Sequence, residues 1–203
     1  MYLLRNKDVE PVCWIDNFLS NDEIKTLMSH VDGLSTIEGR VNGVDSDSLK
    51  HAPKYSPKER VTSIKWVELN SEINWLYAKL IDVIKRINLD NFDMTLKFLE
   101  HLQFSEYNQK RKSFYKIHSD CEDSGDLTSV VDIRKLSFSI QLTDEKKYEG
   151  GELIIYKDRQ ELVAPKSKGT IIFFESKLKH EVKPVTKGVR YSLVGWVQGP
   201  NLR

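Results

Sequence analysis

From residue 95 onward the chain is cut into about eight short apolar runs, and no other feature limits its fold so strongly. The runs lie at 95–108, 114–119, 135–143, 152–156, 160–163, 169–174, 181–185 and 190–197, and they are rich in Ile, Val, Phe and Tyr. Turn residues separate them: Gly150-Gly151, Pro165, Gly169, Pro184 and Gly188. No helical periodicity intervenes, which argues against a parallel α/β sheet. Short strands at this spacing point to a β-sandwich or barrel, with a jelly roll among the candidates.

The first part of the chain reads differently. Ser20 with Glu23 three places on is a capping box, Ile24, Leu27, Met28 and Val31 follow at helical spacing, and Gly33 ends the run. A second helix fits 70–88, where Ile73, Leu76, Tyr77, Leu80, Ile81, Ile84 and Ile87 make one broad apolar face. Between these helices, 38–58 is polar, aperiodic and carries Gly39, Gly43, Pro53 and Pro57. A connection that long in a compact domain is usually a functional loop or a disordered one. The fold class expected is therefore α+β, mainly β. Residues 1–203 form one domain, with 1–94 as helical support and flap and 95–203 as the jelly-roll core.

Composition narrows the partners only a little. With 31 Lys and Arg against 30 Asp and Glu, the net charge of +1 gives no whole-chain reason to expect nucleic acid or a membrane surface. Two cysteines, Cys13 and Cys121, are too few for a disulfide scaffold, so a reduced, cytoplasmic chain is expected. Lys110-Arg111-Lys112 reads as a short solvated basic turn.

Chemistry concentrates near two of the five histidines. His118 and Asp120 are two apart in an expected strand, so both side chains point to one face and can grip one ion. His180 lies at the edge of a later strand and can supply a third ligand. Two histidines and a carboxylate form the facial triad that suits non-haem Fe(II) and leaves positions open. Ten residues past His180, Arg190 faces inward, and a buried guanidinium demands a carboxylate, which it binds in bidentate fashion. Ser192 and Trp196 share its face, one offering a hydroxyl and the other a pocket wall. Tyr115 reads as pocket or core wall, while Arg134 suits either a substrate carbonyl or a loop carboxylate.

Here the chain resembles the Fe(II)/2-oxoglutarate-dependent dioxygenases, in their prolyl 4-hydroxylase-like branch. The residues that carry the likeness are Tyr107, Tyr115-Lys116-Ile117-His118-Ser119-Asp120, Leu136-Ser137-Phe138-Ser139-Ile140-Gln141-Leu142, Tyr148-Glu149-Gly150-Gly151-Glu152-Leu153, and the stretch from His180 through Gly188 to Arg190-Tyr191-Ser192. The resemblance implies a double-stranded β-helix. It implies that His118, Asp120 and His180 hold iron, that Arg190 pairs with the distal carboxylate of 2-oxoglutarate, and that Tyr107 lines the cosubstrate pocket. It further implies O₂ as second cosubstrate, ascorbate as an auxiliary reductant, and hydroxylation of a C–H bond with release of succinate and CO₂.

Asp120 argues against the halogenating members, which carry a small residue there. Trp196 stands where the nucleic-acid demethylating branch has a second arginine, and so argues against that branch. The expected substrate is a prolyl residue of a peptide or protein, with 38–58 and 122–132 as candidate walls around it. A free amino acid or other small molecule is the alternative. A reading from another class, a metal-binding jelly roll such as a metal-assisted hydrolase, would not need Arg190 and Ser192 beside the metal.

Overall fold

The computed structural model describes residues 11–44, 51–121 and 132–201. The candidate wall at 122–132 therefore lies outside the described residues except for Asp132, and so does the middle of 38–58. The first elements are β1 (Val12–Ile15), α1 (Asn21–Asp32), β2 (Ile37–Glu38), β3 (Val41–Val44), β4 (His51–Lys54), β5 (Arg60–Val61), β6 (Ser63–Val67) and α2 (Asn74–Ile87). A π-helical turn (Asn88–Phe92) leads into β7 (Phe98–Leu99), β8 (Leu102–Asn108), β9 (Phe114–His118) and β10 (Asp132–Gln141). Then come β11 (Tyr148–Gly150), β12 (Leu153–Lys157), β13 (Gln160–Val163), β14 (Ile171–Glu175), β15 (His180–Val182) and β16 (Val185–Pro200).

Helix α1 starts as the capping box dictates. The Ser20 hydroxyl accepts from the Glu23 amide at 3.2 Å, and the Glu23 carboxylate accepts from the Ser20 amide at 2.7 Å. Helix α2 begins later than its apolar pattern predicts, because the Asn70 side chain accepts from the amides of Glu72 and Ile73 and holds a turn there. No helix among the described residues is long and apolar enough to cross a membrane.

The strands form two antiparallel sheets, as expected of a jelly roll. The large one runs β1-β14-β10-β16-β8-β6-β2, with β7 and β11 also paired to β16, and the small one runs β13-β12-β15-β9-β5. Strands β3 and β4 pair only with each other, so the aperiodic 38–58 segment contains a hairpin. The N-terminal part does more than supply helices. Strands β1, β2 and β6 extend the large sheet, and β5 extends the small one.

The large sheet is covered on both faces. Its outer face carries Leu102, Phe104, Leu136, Phe138, Ile140, Ile171, Phe173, Leu193 and Val197, which pack with Leu27, Leu76 and Leu80 of the helices. Burial of that apolar layer is the main stabilising term of the fold. Toward the small sheet, the alternate positions of β8, β10 and β16 are polar: Gln103 and Ser105, Ser137, Ser139 and Gln141, Arg190 and Ser192. All seven are buried. Polar side chains in the middle of a sandwich are costly unless they bond one another or a ligand. The floor of the interior is thus built for something polar.

Candidate metal centre and cosubstrate pocket

A cavity of about 530 Å³ opens between the two sheets. Strands β9 and β15 bring His118 and His180 into register as direct neighbours, and Asp120 follows just beyond the end of β9. One donor atom from each of the three lies within 4.8 Å of the others. The Nδ1 of His118 is 2.8 Å from the Lys116 carbonyl, and that of His180 is 3.0 Å from the Leu178 carbonyl. A carbonyl only accepts, so each Nδ1 carries a proton and Nε2 is the ring nitrogen left to face a metal ion. Those Nε2 atoms stand 3.8 and 3.4 Å from the Asp120 carboxylate.

Burial, with His180 adding to it, holds the His118 imidazole down to about 3, so the ring is neutral near pH 7. Burial works the other way on Asp120. The two imidazoles and hydrogen bonds from Ser137 and Trp196 outweigh it and keep the carboxyl below its usual range. The Ser137 hydroxyl reaches Asp120 Oδ2 at 2.8 Å and the Ser176 hydroxyl at 2.8 Å, while the Asp120 amide bonds the Ser176 carbonyl. Two imidazoles and one anchored carboxylate are a fitting donor set for Fe(II).

Arg190 is 1% exposed and lines the same cavity. Its Nη1 donates to Ser192 Oγ at 3.3 Å and its Nη2 to Gln141 Oε1 at 3.0 Å, while its Nε makes no hydrogen bond. No carboxylate pairs with it among the described residues. The Tyr107 ring lies 5.3 Å from the guanidinium carbon. The Gly150-Gly151 turn is part of this arrangement. A Cβ on Gly150 would sit 2.1 Å from the Pro184 carbonyl, and one on Gly151 would sit 3.1 Å from the Arg190 side chain. Both glycines also have φ above +60°, so no other residue fits there without strain.

Every site residue expected from the sequence therefore lies on this cavity. Trp196 does more than wall it: the indole also bonds Asp120 and stacks under Arg134, whose guanidinium carbon is 3.9 Å from the ring. Arg134 takes the loop carboxylate of its two options, reaching both oxygens of Glu100 at 2.7 Å. The 110–112 turn is exposed, as expected of a solvated basic turn, and Arg111 in it also holds Glu38 at 2.6 Å and Ser63 at 2.9 Å. Sequence reasoning missed Gln141, Ser137 and Arg60. The first two could have been found from the strict alternation Ser137-Phe138-Ser139-Ile140-Gln141, which puts three polar groups on one face.

Residues 102–198 match the family described as the 2OG-Fe(II) oxygenase superfamily. A PKHD-type hydroxylase of Prochlorococcus marinus (strain AS9601) is 30% identical over 185 residues, which cover 89% of this chain and 75% of that protein. The chain belongs to the 2OG-Fe(II) oxygenase superfamily. Two solved structures share its fold. The Pseudomonas putida prolyl-4-hydroxylase has a TM-score of 0.66 at 20% identity, covering 93% of this chain and 92% of that one. A prolyl hydroxylase from Trichoplax adhaerens, in complex with a hypoxia inducible factor oxygen degradation domain peptide fragment, has a TM-score of 0.67 at 18% identity, covering 92% and 83%. The protein is a 2-oxoglutarate-dependent dioxygenase that uses Fe(II), 2-oxoglutarate and O₂. Membership sets aside the metal-assisted hydrolase.

Proposed function

We propose that this oxygenase hydroxylates a prolyl residue of a peptide or protein, with His118, Asp120 and His180 as the iron ligands. Bound there, Fe(II) supplies the activation of O₂ and the oxidative chemistry that a protein side chain lacks. The chain's own part is to bind, orient and exclude water. The two histidines turn their Nε2 atoms to the metal position because their Nδ1 protons are held by backbone carbonyls. Ser137 and Trp196 aim Asp120. Arg190, steadied by Gln141 and Ser192, takes the distal carboxylate of 2-oxoglutarate as a charge-assisted pair, and Tyr107 closes the side of that seat.

The observation that carries the prolyl reading is the aromatic mouth of the cavity. Trp66 and Trp196 stand 6.5 Å apart, both on the cavity wall, with Trp66 39% exposed. A partly exposed indole face on the cavity wall suits an apolar pyrrolidine, the group that aromatic grooves recognise in proline-rich segments. The complex of the Trichoplax adhaerens enzyme, which has the same fold, with a peptide fragment supports a peptide substrate. Residues 1–203 act as one catalytic domain in this reading, in a reduced, cytoplasmic setting.

The test is incubation of a proline-containing peptide library and free L-proline with enzyme, Fe(II), 2-oxoglutarate and ascorbate. Mass spectrometry should find one added oxygen on proline in a peptide, in step with succinate release. Oxygen added only to a free amino acid, or to no proline at all, would overturn the reading.

A further inference from the structure

A second arginine faces the cavity and nothing in the site described so far uses it. Arg60 sits on β5, the edge strand of the small sheet, and is only 6% exposed. Its guanidinium carbon lies 4.5 Å from the centre of the Tyr115 ring, and that ring stacks on His118 with centroids 3.5 Å apart. Nη1 donates to the Arg40 carbonyl at 3.0 Å. Gly39 closes over the other side, where a Cβ would come within 2.6 Å of Nε, so only glycine lets the chain pass there. The Gly39 amide is in turn fixed to the Thr62 carbonyl. The guanidinium is thus held in place by three neighbours, none of which carries a negative charge.

A buried cation needs an anion. Among the described residues, the nearby carboxylates are already committed. Glu38 is held by Arg111, Glu59 lies toward Lys116, Glu100 is held by Arg134, and Asp120 belongs to the metal centre. The cosubstrate's distal carboxylate has its own arginine on β16.

We propose that Arg60 is a specificity-determining residue that receives a carboxylate of the substrate beside the proline to be oxidised. This rests on the prolyl reading above. A guanidinium laid flat on a ring keeps its in-plane donors for a planar two-oxygen acceptor, which is the geometry of a carboxylate. That carboxylate belongs either to an Asp or Glu side chain next to the proline or to the α-carboxylate of a proline at the end of the peptide. The same chemistry serves both, and the experiment separates them.

Binding is measured without turnover, with Mn(II) in place of iron and 2-oxoglutarate present, from the fluorescence of the cavity tryptophans. Matched ligands are Pro-containing peptides with Glu or Gln beside the proline, and peptides ending in proline as the free acid against the C-terminal amide. Wild type should prefer the acid in one pair by about tenfold or more, as a charge-assisted bond predicts. The pair that shows the preference names the source. Arg60→Gln should bring that ratio close to one, and Arg60→Lys should restore part of it.

Equal binding of acid and amide by the wild type overturns the assignment, as does a preference that survives Arg60→Gln. A loss of 2-oxoglutarate affinity in Arg60→Gln as large as the loss of substrate affinity also overturns it, because Arg60 then serves the cosubstrate. If no proline-containing ligand binds the wild type at all, the prolyl reading itself fails. Binding without acid preference removes only the role of Arg60.

Discussion

The two buried arginines of the cavity, Arg190 and Arg60, make a useful contrast. Both are less than a tenth exposed and neither has a carboxylate partner among the described residues. Arg190 stands on β16, a sixteen-residue strand paired to β10 on one side and β8 on the other, and neutral side chains from β10 and β16 hold its fork. Arg60 stands on a two-residue edge strand and is fixed by a ring, a glycine and one carbonyl. The deep end is built from the centre of the fold and the mouth from its margin. The deep end therefore suits the constant part of the reaction, and the mouth suits the part that differs between substrates.

The contrast can be broken at several points. The largest effect is expected at the metal. Asp120→Ala removes one of three donors and leaves two, so Mn(II) binding followed by electron paramagnetic resonance should vanish and succinate release should fall to background. Retained turnover would end the triad reading. Next comes Arg190→Ala, which removes a charge-assisted pair and should weaken 2-oxoglutarate binding by about 10- to 100-fold, with KM for 2-oxoglutarate as the readout. An effect confined to the KM of the prolyl substrate would exchange the roles of the two arginines. The smallest effect is expected at the mouth. Glu38→Gln loosens the half-exposed pair that ties β2 to Arg111, and a pair of that exposure contributes about 0.2–1 kcal/mol. The melting temperature should fall by roughly 1–3 °C in calorimetry. A fall as large as that of a core deletion would mean the margin is as tightly built as the centre.

The same contrast explains what was legible in the sequence. On β16 the period of two put Arg190, Ser192 and Trp196 on one face, and these residues do line the cavity together. Helix α1 announced itself through Ser20 and Glu23, whose bonds are local and so are written locally. Strand β6 was not legible. Ile64 and Trp66 face the cavity while Val67 packs beneath the helices, so both faces are occupied and no clean alternation remains. Arg60 gave no signal because its strand is two residues long and follows a polar, proline-broken stretch. What holds it is contact with Tyr115, 55 residues later, and such contacts leave no spacing to read. Gln141 was within reach. The alternation from Ser137 through Ser139 places it on the polar face, two residues beyond Ser139 on its strand.

The pairing of β10 with β16 has a consequence for the size of the cosubstrate. Ser137, which aims Asp120, is opposite Trp196, and Gln141, which steadies Arg190, is opposite Ser192. Both ends of the seat are therefore measured off one ladder, four residues apart, or about 13 Å along the strand. A ladder can shift only by whole residues, and a shift of one turns every side chain to the opposite face. The strand pair works as a fixed gauge: it cannot be tuned by small slips to admit a 2-oxo diacid one carbon longer or shorter. The spacing between the Asp120 end and the Arg190 end of the cavity is then set by backbone register.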